Sequence, residues 1–270
     1  MRKRQQSAKT IANLFDDYEE SNTALRTSAP FVRERKGKLS LHFDTAGVQS
    51  LMDVEQPNRL MLGYTRSMMG FLLFHPEPAH IGMIGLGGGS LQKYCYRNLP
   101  KSRISVAEIS TEVIALRNQF CVPKDDARFQ VYCEDGAEFV RRQREAFDVL
   151  IVDGFDSAGQ PAELCSQAFY DNCYGALLEG GILVVNICDS KDSILVRRMK
   201  RTFEDRVLVI DGEDTSNTIA FGGKASRWFD PSDRAGMLST AEKLSSFRLY
   251  STSAKPEAKS CRSAEILPAG

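Results

Sequence analysis

From residue 81 onward, the chain alternates between short apolar runs and segments whose apolar positions recur at helical spacing. Seven apolar runs have the length and composition of buried strands: residues 81–85, 103–109, 128–133, 147–153, 181–187, 206–211 and 217–222. Continuous apolar strands separated by helices are typical of a parallel sheet covered on both faces. The last two runs are joined by the short polar link "GEDTS", so they are expected to pair as an antiparallel hairpin. The pattern therefore predicts an α/β fold with a seven-stranded, mostly parallel sheet.

The chain before residue 81 follows a different pattern. Leu39, Leu41 and Phe43 alternate with polar residues, as in a strand with one buried face, and "VQSLMDV" can return as its partner after a turn at "TAG". Beyond Trp228 the pattern fades into one amphipathic helix and a tail rich in Ser, Lys and Pro. The predicted units are a polar N-terminal arm over residues 1–36, a small β-hairpin module over 37–58, a main domain over 59–250 and a disordered tail over 251–270.

The 270-residue chain carries 35 basic and 35 acidic residues, so its formal net charge is zero. Nucleic-acid-binding proteins usually show a basic excess or stripe, so we expect no nucleic-acid partner. No apolar stretch is long enough to span a bilayer, and the basic start is not followed by the apolar run of a secretory signal. We therefore predict a cytoplasmic protein without a membrane partner.

Cysteine and histidine usage adds to this picture. The seven cysteines form no CxxC pair and mostly lie in apolar segments, which predicts reduced core thiols. The three histidines have no Cys or His neighbour at ligand spacing. We therefore expect no metal site.

A glycine-rich stretch, "IGMIGLGGGSLQKY", joins the first predicted strand of the main domain to its first helix. Ligands of open α/β sheets bind beyond the carboxyl ends of the strands, where Gly85, Gly87 and Gly89 are expected to lie. Without Cβ atoms, these residues allow a tight turn and a close approach of a nucleotide-like ligand to the backbone. A glycine-rich turn without any ligand is the alternative.

Two acidic residues end the next two strands. Glu108 follows Gly85 by 23 residues, where a carboxylate can accept both hydroxyls of a ribose, or can be a solvated strand end. This spacing also occurs in dinucleotide folds, so it indicates a nucleoside without choosing between NAD and S-adenosylmethionine. Ser90 occupies the sixth motif position, which slightly disfavours NAD. Asp135 is placed either to accept from an adenine amino group or to cap the following helix.

The fourth strand ends at a pair of carboxylates, Asp153 and Asp156. An alkylamine is almost fully protonated at neutral pH and must lose a proton before its nitrogen can attack. Two carboxylates above the ligand edge suit such an amine, because one can orient the cationic nitrogen and the other can take its proton. A solvated or capping pair in the loop is the alternative.

Over roughly residues 60–210, the chain resembles the spermidine/spermine synthase family, the aminopropyltransferases on the methyltransferase fold. "VAEISTEVI" corresponds to a family run like V-E-I-D-x-x-V-I. The block from Asp153 to Gly181 corresponds to D-x-x-D-P-x-G-P...F-Y...L-x-x-G-G, with Phe169, Tyr170 and Gly180 in register. The resemblance implies a Rossmann-like methyltransferase fold for the main domain. It also matches the hairpin module to the family's small N-terminal β-domain, and a homodimer through that module is one expected assembly.

The resemblance implies a role for each matching residue. Asp153 would be the catalytic base that deprotonates the amine, Asp156 would hold the acceptor, and Tyr64 would stand for the tyrosine of the family's Y-[HQ]-E motif. The implied cofactor-binding residues are Gly85, Gly87, Gly88, Gly89, Glu108, Asp135 and Gly136. The implied co-substrate is S-adenosylmethionine or its decarboxylated form, with a small-molecule amine as acceptor and no metal.

The chain departs from the family's motifs on the acceptor side. The aspartate of the family's G-G-G-D loop is Gly88 here, and the glutamate of Y-[HQ]-E is Arg66. The prolines of D-P-x-G-P are Ser157 and Gln160. The adenosine side is retained while carboxylates that would bind a polyamine are lost, so efficient spermidine synthesis is not expected.

Three hypotheses follow from the sequence. The first is a spermidine-synthase-like transferase that binds an adenosyl sulfonium compound and transfers an aminopropyl-type group to an amine in polyamine metabolism. The second is a methyltransferase that uses S-adenosylmethionine itself. The third is a catalytically silent protein that binds the nucleoside and acts as a scaffold.

Overall fold

The computed structural model describes residues 29–43, 47–156, 159–188, 193–213, 217–225, 230 and 232–246. Most of the predicted arm, the hairpin turn at residues 44–46, Ser157, Trp228 and the whole predicted tail lie outside the described residues.

The N-terminal module is a three-stranded antiparallel sheet in the order β1–β2–β3. Its strands are β1 (Phe31–Arg35), β2 (Lys38–His42) and β3 (Ser50–Asp53). The predicted pairing of β2 with β3 is present, and β1 is an additional strand within the segment predicted as an arm. The turn between β1 and β2 is Lys36–Gly37, with φ of 51° and 71°. Positive φ at both residues is typical of the tight turns that join antiparallel strands.

The main domain contains the predicted seven-stranded, mostly parallel sheet, in the order β6–β5–β4–β7–β8–β10–β9. Its strands are β4 (His80–Ile84), β5 (Arg103–Glu108), β6 (Phe129–Cys133), β7 (Phe147–Val152), β8 (Leu177–Ile187), β9 (Val207–Asp211) and β10 (Thr218–Gly223). Strand β10 pairs antiparallel with both β8 and β9, and the other pairs are parallel. The predicted fold class is therefore confirmed, including the closing hairpin.

Helices cover both faces of this sheet. They are α1 (Gly63–Met68), α2 (Ser90–Asn98), α3 (Thr111–Ala115), α4 (Gly136–Arg141), α5 (Gln167–Ala176), α6 (Ile194–Thr202) and α7 (Arg234–Ser246), with 3₁₀ turns at Met69–Leu73 and Ala162–Cys165. The helical pattern of "TEVIALRNQF" extends to Phe120, but helix α3 ends at Ala115 and turns follow it. None of the helices in the described ranges is long and apolar enough to cross a bilayer.

The alternation of side chains along β7 separates the buried apolar residues into two clusters. Val149 and Ile151 belong to one cluster, and Leu150 and Val152 belong to the other. Leu41 of the N-terminal sheet belongs to the first cluster, so the small sheet packs on the main domain. The site is positioned by the parallel strands, because the carboxyl ends of β4, β5, β6 and β7 meet at one edge.

Replacement of Phe147 by alanine should destabilise the fold strongly. Phe147 is fully buried at the start of β7, with its ring centroid 4.6 Å from that of His80 and 5.9 Å from that of Phe139. We expect Phe147→Ala to lower the free energy of unfolding by about 3–5 kcal/mol. Ile194→Ala is the control, because Ile194 is 47% exposed and its truncation should have a small effect. Urea unfolding of both variants measures the difference, and equal effects would contradict this account of the core.

Candidate active site

A cavity of about 370 Å³ lies beyond the carboxyl ends of the parallel strands. Of the residues predicted to form the site, those that line it are Tyr64, Gly85, Gly87, Glu108, Asp135, Gly136, Asp153 and Asp156. Gly88 and Gly89 do not line it. The fold thus brings together residues from α1, from the carboxyl ends of β4, β5 and β7 and from the start of α4.

The loop after β7 requires a glycine at residue 85, whether or not a ligand is bound. Its φ is +93°, and a Cβ at this position would lie 2.2 Å from the carbonyl oxygen of Asp153. The backbone N–H of Asp153 in turn donates to the carbonyl of Ile84 at 2.9 Å. Any side chain at residue 85 would therefore push the loop after β4 away from the loop after β7.

Gly88 and Gly89 face the interior of the protein. A Cβ on Gly88 would lie 2.8 Å from Ser50 Oγ and 2.9 Å from a ring carbon of Phe120. A Cβ on Gly89 would lie 2.3 Å from Val122 Cγ2. These two glycines allow the loop to pack against β3 and the segment after α3, which explains why they are absent from the cavity wall.

The carboxylate of Glu108 fastens the glycine loop at the end of β5. Its Oε2 accepts from the backbone N–H of Leu86 at 2.8 Å, and its Oε1 accepts from that of Ser110 at 2.9 Å. Glu108 is 9% exposed and lines the cavity. Each carboxylate oxygen can accept more than one hydrogen bond, so these contacts leave capacity for ribose hydroxyls.

Asp135 caps helix α4. Its Oδ1 accepts from the backbone N–H of Glu138 at 2.9 Å, which is one of the two roles that the sequence left open. Gly136 follows at the first turn, where a Cβ would lie 2.3 Å from Ile84 Cγ2. Both residues line the cavity. The contact of Asp135 with an adenine and the part of Gly136 in cofactor binding stay predictions.

Asp153 is held by two side-chain donors. Its Oδ1 accepts from Asn186 Nδ2 at 2.8 Å, and its Oδ2 accepts from the Tyr64 hydroxyl at 3.3 Å. Burial raises the pKa of Asp153, and the hydrogen bonds from Asn186 and Tyr64 only partly oppose this effect. Burial and the charge of Asp153 raise the pKa of Tyr64 well above its usual value, so the hydroxyl keeps its proton. The pair is a carboxylate of increased proton affinity beside a neutral donor.

Asp156 and Gln160 lie in the loop that follows β7. Asp156 is exposed, lines the cavity and pairs through its backbone with Gly159. The side-chain amide of Gln160 is buried and has no hydrogen-bond partner among the described residues. Asp156 is therefore an exposed carboxylate at the cavity wall, and its contact with the acceptor stays a prediction.

Arg66 connects α1 to the end of β9. Its Nε donates to Glu213 Oε2 at 3.0 Å, and its Nη1 donates to the carbonyls of Leu60 and Met61 at 2.9 and 3.1 Å. The sequence has no acidic residue from Arg59 to Phe74, and the fold supplies one from residue 213. The carboxylate near α1 is thus neutralised by an arginine.

Sequence alone did not identify residues of the candidate site in two places. The N-terminal module contributes Phe43, just after β2, and Gln49 and Ser50, at the start of β3, to the cavity wall, although sequence alone associated this module with a dimer surface. The contact of Asn186 with Asp153 was also missed, although a lone amide inside the apolar run "GILVVNI" was visible. Within the described part of the chain, no cluster of three or more His, Cys, Asp or Glu residues could hold a metal ion.

The spermine/spermidine synthase domain model matches residues 61–200. A polyamine aminopropyltransferase of Neisseria meningitidis serogroup A is 37% identical over 191 residues, which cover 69% of this chain and 73% of that protein.

Solved structures share the fold at lower identity. A probable spermidine synthase from Corynebacterium glutamicum superposes with a TM-score of 0.66 at 20% identity, over 83% of this chain and 87% of that one. A spermidine synthase in complex with the transition-state analogue AdoDATO gives 0.56 at 21% identity, over 75% and 73% of the two chains. Human methyltransferase-like protein 13 in complex with SAH gives 0.54 at 22% identity, over 69% and 93%. These structures support the methyltransferase-like fold.

Replacement of Gly85 by alanine should disrupt the site. The positive φ alone costs a non-glycine residue about 1–3 kcal/mol, and the close approach to the Asp153 carbonyl adds to this. Gly180→Ala is a matched control, because Gly180 has a φ of +78° and open space around its Cβ position. Thermal unfolding should show a larger loss for Gly85→Ala than for the control. Equal losses would mean that the contact with Asp153 has no energetic weight.

Proposed function

Since the chain belongs to the spermine/spermidine synthase family, we propose that it is a transferase that binds an adenosyl sulfonium compound and transfers an alkyl group of the aminopropyl type to a small amine. The observation that carries this proposal is the order of the side chains along one cavity. Asp135 follows β6, Glu108 ends β5, the glycine loop follows β4 and Asp153 follows β7. In this order, acceptors for a nucleoside lie on one side of the loop and a base lies on the other.

The dimensions and surroundings of the cavity support a small-molecule site. About 370 Å³ falls within the usual range of roughly 300–1,000 Å³ for ligand pockets. The adenosine would lie near Glu108 and Asp135, and the sulfonium would lie near Gly85 and Gly87. The amine would then approach from the side of Asp153, Tyr64 and Asp156.

The chemistry proposed is a direct displacement. Asp153 accepts a proton from the ammonium form of the acceptor, and the freed nitrogen lone pair attacks the carbon beside the cationic sulfur. A carbon–nitrogen bond forms and the carbon–sulfur bond breaks, so its electron pair leaves with a neutral thioether. Burial raises the pKa of Asp153 and makes it a stronger base once it is ionised. The protein would otherwise contribute proximity and orientation.

The donor is proposed to be S-adenosylmethionine or its decarboxylated form, with little discrimination between them. An aspartate in the glycine loop would attract the donor's amine and repel the carboxylate that only S-adenosylmethionine carries. Gly88 supplies no such repulsion, and its packing against Ser50 and Phe120 leaves no room for a side chain. The same feature favours the second candidate function, a methyltransferase that uses S-adenosylmethionine.

Calorimetry with methylthioadenosine, S-adenosylmethionine and decarboxylated S-adenosylmethionine tests the proposal. Binding of all three, followed by alkylation of a diamine, supports the transferase proposed. Binding of S-adenosylmethionine alone, with methyl transfer to the acceptor, favours the methyltransferase. Failure to bind any of the three contradicts both functions.

The carboxylate of Glu108 should contribute to nucleoside affinity. We expect Glu108→Gln to weaken methylthioadenosine binding by about 1.5–3 kcal/mol, because a charged acceptor is lost while one oxygen is kept for the Leu86 N–H. Glu77→Gln is the control, since the Glu77 side chain is 72% exposed and precedes the amino end of β4, away from the carboxyl ends that border the cavity. Unchanged affinity in Glu108→Gln would show that Glu108 only fastens the loop.

Asp153 should be required for turnover at neutral pH. Asp153→Asn keeps the shape and removes the base, so kcat should fall by about two to four orders of magnitude. The rate should recover partly at high pH, where the amine loses its proton without help. Asp156→Asn should reduce turnover less and mainly raise KM for the acceptor. Wild-type turnover of Asp153→Asn at neutral pH would exclude Asp153 as the base.

A further inference from the structure

We propose that Asn217 is a positioning residue for Asp153 and that it acts through Asn186. This inference rests on the proposed function, in which Asp153 is the base. Asn186 is 2% exposed in β8, and its Nδ2 donates to Asp153 Oδ1 at 2.8 Å. Asn217 directly precedes β10, and its Nδ2 donates to Asn186 Oδ1 at 2.9 Å. The three side chains therefore form one hydrogen-bonded chain from β10 to the cavity.

The direction of the chain follows from the carboxylate. An ionised carboxylate only accepts hydrogen bonds, so Asn186 must present its amide nitrogen to Asp153. The amide oxygen of Asn186 then faces the other way and needs a donor, which Asn217 supplies. Without that donor, the amide of Asn186 is free to turn and present its oxygen to Asp153. That arrangement suits only the protonated acid.

A second acceptor fixes the amide of Asn217 itself. The same Nδ2 donates to Cys188 Sγ at 3.2 Å. A primary amide nitrogen carries two hydrogens, so it can serve Asn186 and Cys188 together. The reversed amide would place an oxygen against the oxygen of Asn186, so two acceptors hold Asn217 in the orientation that Asn186 requires.

Hydrogen bonds are the main interactions that stabilise the negative charge of Asp153. The Tyr64 hydroxyl from α1 donates to the other carboxylate oxygen, and Tyr64 remains neutral because its pKa is raised. At the end of β8, burial and the charge of Asp153 raise the pKa of the Cys188 thiol, which favours the neutral thiol. Burial favours the protonated form of Asp153, and the donors from Asn186 and Tyr64 oppose it. Loss of the donor from Asn186 should therefore raise the pKa of Asp153.

The test compares Asn217→Ala, Asn186→Leu and the double variant. The titration of Asp153 is followed by carbon-13 NMR of its carboxyl group, assigned with Asp153→Asn, and kcat/KM is measured across pH. Each single variant should move the Asp153 titration and the acid limb of kcat/KM to higher pH. On that limb kcat/KM should fall by about one to two orders of magnitude in Asn186→Leu, which loses a hydrogen bond to a charged group, and by no more than this in Asn217→Ala. At high pH both variants should match the wild type.

The double variant distinguishes a relay from two separate contributions. If Asn217 acts through Asn186, the double variant should titrate like Asn186→Leu alone. Additive shifts would overturn the proposal, and so would an equal loss of activity at every pH. Asn98→Ala is the matched control, because Asn98 is an exposed amide on α2 that donates to the Tyr94 carbonyl. Methylthioadenosine affinity reports whether each variant keeps the folded site, and Asn186→Ala replaces Asn186→Leu if the latter does not fold.

The two readouts separate this inference from the proposed function. If the wild type alkylates no amine but the Asp153 titration moves as expected, the proposed function fails and the relay stands. If the titration does not move in Asn217→Ala, the relay is wrong whatever the turnover.

Discussion

The site depends on the close approach of two backbones, at Gly85 and Asp153. A Cβ on residue 85 would lie 2.2 Å from the Asp153 carbonyl oxygen, and the preceding strands are paired in parallel register up to Ile84 and Val152. Because the two loops meet at this point, the glycine loop and Asp153 share one cavity edge. A side chain at residue 85 would separate the region expected to face the sulfonium from the residue proposed as the base. The packing of the two loops therefore requires a glycine at residue 85 independently of any ligand.

The acidic residues of the cavity hold backbone segments in place and can still accept hydrogen bonds from a ligand. Glu108 accepts from two backbone N–H groups, and Asp135 accepts from the first turn of α4. From sequence, a cap and a ligand contact were alternatives for Asp135. An ionised carboxylate has about four acceptor positions, so one protein contact does not exclude a ligand contact. Such contacts also hold the carboxylate in place before a ligand arrives, which reduces the cost of ordering it on binding.

Much of the fold could be predicted because the central strands are buried on both faces. Their continuous apolar runs, such as "FDVLIVD", differ clearly from the helices between them. Strand β1 was not predicted, because "FVRER" is half-exposed and its charged residues hide the alternation. The contribution of Gln49 and Ser50 to the cavity depends on how one sheet packs against another, and sequence spacing does not contain that information. Asn186 was visible as a polar residue in an apolar strand, but its partners follow from the neighbours of β8 in the sheet.

Arg66, which stands where the resemblance places a glutamate of the family's motif, has a structural role at helix α1. Helix α1 has six residues and no side-chain cap at its start, so its position must come from tertiary contacts. Glu213 provides them, because its Oε2 accepts from Arg66 Nε and its backbone N–H donates to the Ser67 hydroxyl. Arg66 also donates to the carbonyls of Leu60 and Met61, just before the helix. These contacts hold the helix from which Tyr64 reaches Asp153. Arg66 therefore helps to position the helix that carries Tyr64, and its ion pair neutralises Glu213, so that Glu213 adds no net negative charge to that of the carboxylates that line the cavity.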